Sequence, residues 1–434
     1  MIKKQSNQSV TSSEAPVPDL LLDGERVSFE ADSVAPKASD EELNSRYVKG
    51  DIRIVTEQAR YPLAGILQML HETKQDESGK SSPRYMLDPE YQRRHRWSDQ
   101  RKSRLIESFL LNVPVPPVFL YERDLARFEV MDGRQRLTAL SDFYADKFAL
   151  VGMEYWPDLD GRRYSELPEK VRDGIDRRYI SSIILLQETA SSEAQAAMLK
   201  KLVFERLNSG GVKLGSQETR NAIYSGPLNT LCLQLSERQT FRRLWGIPVD
   251  PNAENGDREE DSEDVQDDAT ALGMRMYAKM EDVELVLRFF AYRQIREFKA
   301  GLNKISEFLD LFLMRGNRFP ERVLIDFRAM FESTVDFLWD ALGIEAFTLL
   351  DSGRRRATKI VYDPLMYVAN SAEVVPHRAA LVANKSLLRE ELQKTYLANA
   401  DLFSGRRTNF SDSQHRNTCV GAAFAAAIAR VPKI

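Results

Sequence analysis

The sequence predicts an α/β (α+β) protein in two parts, a small mixed domain followed by a mainly α-helical one. Three observations predict it. Short β-branched and apolar runs alternate with helical stripes up to about residue 225. From about residue 270 onward the only strong pattern is long amphipathic helix. The length of 434 residues suits two or three domains at about 150 residues each.

The elements follow in chain order. Pro62 to Glu72 places Leu63, Ile66, Leu67 and Leu70 on a helical stripe. Ser98 is an N-cap for a helix through Leu111, with Leu105, Ile106, Phe109 and Leu110 as its buried face. Pro114, Pro116 and Pro117 end that helix. Val118 to Tyr121 and Phe128 to Met131 are short strands, and Arg134 to Tyr144 is a helix with Leu137, Leu140 and Phe143 on one side. Ile180 to Leu186 is a near-continuous apolar run, the pattern of a buried strand. Residues 192–207 and 216–224 are helical again. Beyond them come Val283 to Phe298, Ile305 to Leu313, Pro320 to Leu342, Ala379 to Ala398 and a packed C-terminal helix around Val420 to Ala429.

Composition divides the chain further. Residues 1–45 mix Ser, Pro, Glu and Asp without periodicity and read as a disordered tail. The two domains then span 46–226 and 227–434. Between Glu254 and Asp268 lie nine acidic residues and one Arg, so 252–270 reads as an extended acidic loop. The net charge is −4, and without the −8 of that segment the rest of the chain carries +4. Nucleic-acid binding is therefore neither demanded nor excluded by charge.

Two Cys, Cys232 and Cys419, are too far apart in sequence for a disulfide framework or a Cys-rich zinc module, which fits a reducing, cytoplasmic setting. No run approaches the roughly 18 apolar residues of a membrane span. The first ten residues lack the apolar core of a secretory signal. The four His show no metal-ligand spacing, so no metal site is expected from them. Ser78-Gly79-Lys80-Ser81 resembles the end of a P-loop, but Lys74 stands where the first Gly is required.

Two clusters carry chemistry. Asp132-Gly133-Arg134-Gln135-Arg136 sits between a strand and a helix. A Gly there permits close backbone approach, the helix N-terminus offers N–H groups and partial positive charge, and two Arg add forked donors for phosphate oxygens. The same residues also read as an ordinary capped turn with two solvated Arg. Pro89-Glu90-Tyr91-Gln92-Arg93-Arg94-His95-Arg96-Trp97 packs basic, amide and aromatic groups together. Arg84 to Arg104 holds seven Lys or Arg and three acidic residues, a basic stretch suited to phosphates. An exposed loop anchored by Trp97 is the plainer reading. Arg94, Arg96, Arg101 and Lys102 are the candidate DNA contacts.

The order of these residues resembles a known family. Pro89-Glu90-Tyr91-Gln92-Arg93, Trp97, Leu105-Ile106-Glu107-Ser108, Val113-Pro114-Val115-Pro116 and Val130 through Leu140 look like the ParB-like N-terminal domain of GmrSD-type restriction enzymes. Phe204-Glu205-Arg206-Leu207-Asn208-Ser209-Gly210-Gly211, Leu214 and Glu218-Thr219-Arg220-Asn221-Ala222 resemble its second signature. The resemblance spans roughly residues 50–225 and implies a ParB/sulfiredoxin-like α/β domain. It implies NTP hydrolysis with Mg²⁺ or another divalent ion, in a bacterial anti-phage or modified-DNA restriction system.

On this resemblance Asp132, Arg134, Gln135 and Arg136 are candidate catalytic residues, and Gln92, Arg93, Gly133, Arg134, Arg136 and Asn208 candidate nucleotide ligands. DNA and a partner nuclease or defence protein are the implied partners. Two departures matter. Arg134 stands where the family usually has Gln, which keeps donors and adds charge. The C-terminal half has only His377 and His415, without a His-Asn-His arrangement, so cleavage by such a module is not expected. A non-enzymatic DNA-binding module and a nuclease using the N-terminal pocket are the alternative readings.

Overall fold

The computed structural model describes residues 21–27, 39–49, 54–75, 79, 81–87, 97–186, 193–207, 215–249, 269–295, 305–350, 356–404 and 410–432. These fall into two compact units. One holds the described residues between Asp32 and Tyr224, and the other holds Leu21–Val27 with the described residues from Ser225 onward.

The α/β unit contains, in order, α1 (Asp40–Lys49), β1 (Thr56–Pro62), α2 (Ile66–His71), β2 (Thr73–Gln75), β3 (Ser81–Pro83), β4 (Tyr85–Met86), α3 (Asp99–Leu110), β5 (Val118–Asp124) and β6 (Arg127–Asp132). Then follow α4 (Arg134–Tyr144), α5 (Glu169–Asp176), β7 (Tyr179–Leu185), α6 (Glu193–Leu207) and α7 (Ser216–Ile223). The main sheet has the order β1-β7-β5-β6-β4. β5 lies parallel to β7 and antiparallel to β6, while β1 pairs antiparallel with β7 and β4 parallel with β6. The mixed α/β class expected from the sequence is the one observed.

Alternation builds the core. Val118 and Leu120 of β5, Phe128 and Val130 of β6, and Ile180 and Ile184 of β7 bury one face of the sheet against Ile106, Leu137, Leu140 and Phe143. α3 begins where expected: the Ser98 hydroxyl accepts the Arg101 N–H at 3.4 Å. Leu105, Ile106 and Phe109 are buried as predicted, and Leu110 is half-buried. On the other face, Lys200 of α6 pairs with Glu129 of β6 at 2.7 Å and lies 4.1 Å from the centroid of the Tyr121 ring. Burial, then the Glu129 charge, pushes the Tyr121 phenol up.

The helical unit comprises α8 (Pro227–Ser236), α9 (Gln239–Leu244), α10 (Ala269–Ala278), α11 (Glu281–Tyr292), α12 (Ile305–Gly316), α13 (Glu321–Leu342), α14 (Lys359–Ala369), α15 (Arg378–Ala383), α16 (Lys385–Ala398) and α17 (Phe410–Ala429). Its core is aromatic. Phe290 of α11 stacks on Phe327 of α13 with ring centroids 4.3 Å apart. Arg288 is held by Asp363 of α14 through Nε at 3.1 Å, with a second contact through Nη2.

Three expectations change. The helix expected over Ala379 to Ala398 is two helices, because Asn384 leaves helical geometry (φ −122°, ψ 52°) and its side-chain amide donates to Ala380 O. The helix expected through Phe298 ends at Tyr292. The tail expected over 1–45 contains placed structure. α1 starts at Asp40, and Leu21–Val27 is built into the helical unit. There the fully buried Glu25 carboxylate takes a forked pair from Arg293 at 2.7 and 2.9 Å, and Gln294 exchanges bonds with Glu25 O and Val27 N. The acidic loop 252–270 lies outside the described residues except for Ala269 and Thr270, which belong to α10. Among the described residues no helix is long and apolar enough to cross a membrane.

Candidate functional site

The site is built where β6 ends and α4 begins. Asp132 is the last residue of β6, opposite Phe119 of β5. Gly133 turns the chain with φ +92° and ψ 9°, left-handed geometry that favours glycine. The turn is also tightly packed: a Cβ at 133 would lie 2.4 Å from Val118 Cγ1 and 2.9 Å from Arg136 Nη2. α4 then starts, and the first intrahelical bond runs from the Leu137 N–H to Gly133 O at 2.9 Å. The N–H groups of Arg134, Gln135 and Arg136 precede that bond and so lack intrahelical acceptors. Leu137, Leu140 and Phe143 anchor the helix in the core, so the turn sits on a fixed base.

Arg136 stands one turn into α4. Its Nη2 donates to Asp132 Oδ2 at 2.7 Å and to Pro117 O at 3.3 Å. One guanidinium thus ties the end of β6 to the segment entering β5. Its side chain is only 12% exposed while that of Asp132 is 43% exposed, so the carboxylate is the accessible member of the pair. The plainer reading of two solvated Arg does not hold, because Arg134 is 9% exposed, its side chain packed into the domain. Position 134 thus presents no exposed guanidinium. Gln135 is half-buried.

The other candidates divide. Gln92, Arg93, Arg94, Arg96 and Asn208 lie outside the described residues. Arg101 is exposed and sits 5.0 Å over the ring of Trp97, which packs against the core. Lys102 is not free to meet a DNA phosphate. Its ammonium lies 3.0 Å from Asp99 and 3.5 Å from Asp142, and its side chain is largely covered. It ties α3 to α4.

Further signature residues have structural roles, and the helix-capping role expected of Glu218 is the one observed. Glu107 of α3 is buried, and its carboxylate accepts the backbone N–H groups of Glu154, Tyr155 and Trp156 at 3.3, 2.7 and 3.1 Å. Glu218 caps α7 by accepting the Gly215 N–H at 2.5 Å. Gln217, Arg220 and Asn221 form a buried polar row on α7: Arg220 donates to Gln217 at 3.1 Å and Gln217 to Asn221 at 2.9 Å. The i, i+3, i+4 spacing of polar side chains on one face was the signal for that row.

No group of three or more His, Cys, Asp or Glu among the described residues could hold a metal ion alone. A magnesium ion uses few protein ligands and several phosphate oxygens, so the single exposed carboxylate of Asp132 fits a nucleotide-borne ion.

The fold and turn define a strand–glycine–helix junction on a mixed sheet. Residues 68–225 match the family described as the GmrSD restriction endonuclease, N-terminal domain, and this part of the chain belongs to that domain family. Neither a curated protein nor a solved structure matches the chain.

Proposed function

We propose that the α/β unit binds a nucleoside triphosphate and hydrolyses it with Mg²⁺, within a cytoplasmic restriction or anti-phage defence protein that acts on or is regulated by DNA. The observation that carries this reading is the Gly133 turn, whose packing against Val118 leaves no room for a side chain at the mouth of α4. A phosphate approaching there meets backbone N–H groups and the positive end of the helix dipole. Arg136 holds Asp132 in place and supplies fixed positive charge beside it. Gln135 is placed on the first turn to orient a water or a phosphate oxygen. Asp132 would hold the ion that accompanies the phosphates. Phosphoryl transfer depends mainly on positioning and charge stabilisation, which this small set can supply. A partner nuclease or defence protein would carry the cleavage step.

The test is turnover of all four nucleoside triphosphates with Mg²⁺, with and without DNA, for the wild type and Arg136→Ala. Loss of one charged donor is expected to lower turnover by roughly 10²–10³-fold. Thermal melts of both proteins verify that the variant is folded. A wild type that neither binds nor turns over any of the four would overturn the reading. Salt-dependent DNA binding unaffected by Arg136→Ala would then assign the domain to DNA binding without catalysis.

A further inference from the structure

One loop of the α/β unit is fixed from beneath and apolar on top. Residues 150–162 close on themselves through Gly161 N–H to Leu150 O at 2.7 Å and Leu150 N–H to Arg162 O at 2.9 Å. Inside the loop, six consecutive backbone N–H groups are accepted by side chains. Val151 donates to the Ser103 hydroxyl at 3.0 Å, and Gly152 and Met153 both donate to the Asp160 carboxylate at 3.1 Å. Glu154, Tyr155 and Trp156 donate to Glu107 as described above. Met153 and Leu159 are buried and pin the loop at two points.

This ordering serves a surface. Tyr155 is 66% exposed, Trp156 40% and Val151 45%. Leu111, one helical turn beyond Glu107, is 41% exposed, and Val113 is 50% exposed. Large apolar side chains held rigidly in solvent mark an interaction site, since their ordering cost is met before a partner arrives. The charges around the patch say what fits it. Arg104 shares a face of α3 with Gln100, Glu107 and Leu111 by i, i+4, i+7, i+11 spacing, and it is exposed. Glu154 and Asp158 are exposed on the loop. Among the described residues none of these three charges has an ion-pair partner. Two carboxylates beside the rings disfavour a nucleic-acid strand. A patch with an apolar centre and both signs of charge at its rim is complementary to itself, which a two-fold contact requires.

We propose that this face joins two copies of the chain across a two-fold axis. Tyr155 and Trp156 pack at the centre, and Arg104 of each copy faces Glu154 and Asp158 of the other. The proposal does not rest on nucleotide turnover.

Sedimentation equilibrium of the full chain tests it. The wild type is expected to reach twice the chain mass at micromolar concentration. Trp156→Ser is expected to raise the dissociation constant by about tenfold or more, as a central aromatic anchor would. Arg104→Glu and the pair Glu154→Arg with Asp158→Arg are each expected to weaken the dimer. All three changes in one chain are expected to restore it, because the charges are then swapped on both sides. A wild type that stays monomeric would overturn the proposal. So would a dimer indifferent to these substitutions. A monomer whose DNA binding is lost in Trp156→Ser would assign the patch to nucleic acid instead.

Discussion

Replacing Gly133 with Ala is expected to destabilise the α/β unit by roughly 2–5 kcal/mol and to abolish nucleotide binding. Two separable effects add. An L-residue at φ +92° is strained, by about 1–2 kcal/mol. The new methyl would also overlap Val118 Cγ1, and overpacking of this kind costs about 1–3 kcal/mol. Adding Val118→Ala to Gly133→Ala removes the 2.4 Å contact with Cγ1 and leaves both the backbone strain and the 2.9 Å approach to the Cβ of residue 118. Urea unfolding of both variants, with Val118→Ala alone as the reference for its own cavity cost, therefore gives the share that the Cγ1 overlap carries. Because the Cβ also lies 2.9 Å from Arg136 Nη2, the substitution displaces the guanidinium that holds Asp132. Titration with a fluorescent nucleotide under conditions where the variant is folded checks the site itself. Unchanged affinity in folded Gly133→Ala would remove the turn from the proposed site.

The contrast between Asp132–Arg136 and its surroundings shows what sequence can carry. The turn was legible because its determinants are local: a strand, a Gly, a helix, and an acid at the strand's end four residues before an Arg in the first turn of the helix. The same locality made the bounds of α4 and the Ser98 cap readable. The burial of Arg134 and the near-complete cover of Arg136 are not legible locally, because a sequence shows two neighbouring Arg and not the packing around them. Strand β1 was missed for a related reason. Thr56 to Pro62 is polar and mostly exposed, and it is a strand because β7 offers it a partner, with Ala59 opposite Ser182. The docking of Leu21–Val27 depends on Glu25 meeting Arg293, 268 residues away, which no window along the chain can see. α14 contains Pro364, a residue that argues against helix locally, yet tertiary burial holds the helix together.

Glu107 belongs to this long-range class, and its removal is the second large effect expected. The Leu105-Ile106-Glu107-Ser108 motif places an acid on the buried face of α3, where an unpaired charge would be costly. The partners that justify it lie 47 to 49 residues downstream. Hydrogen bonds to a charged acceptor contribute about 1.5–3 kcal/mol each, but an exposed loop can recover part of that from water. Glu107→Ala is therefore expected to cost roughly 3–5 kcal/mol rather than the full sum. Glu107→Gln keeps the shape and one acceptor oxygen. It is expected to cost about 1–2 kcal/mol, because its amide nitrogen cannot accept the remaining N–H. Urea unfolding gives the two values, and hydrogen exchange locates the change. In Glu107→Ala the amides of Glu154, Tyr155 and Trp156 should exchange much faster, while those of Leu137 and Leu140 in α4 keep their protection under native conditions. The same substitution separates the two functional proposals. It frees Tyr155 and Trp156 from their support without touching Asp132 or Arg136, so self-association should weaken while nucleotide binding per folded molecule is retained. Equal exchange rates in wild type and Glu107→Ala would mean that the carboxylate does not hold the loop, and the ordered surface would lose its foundation.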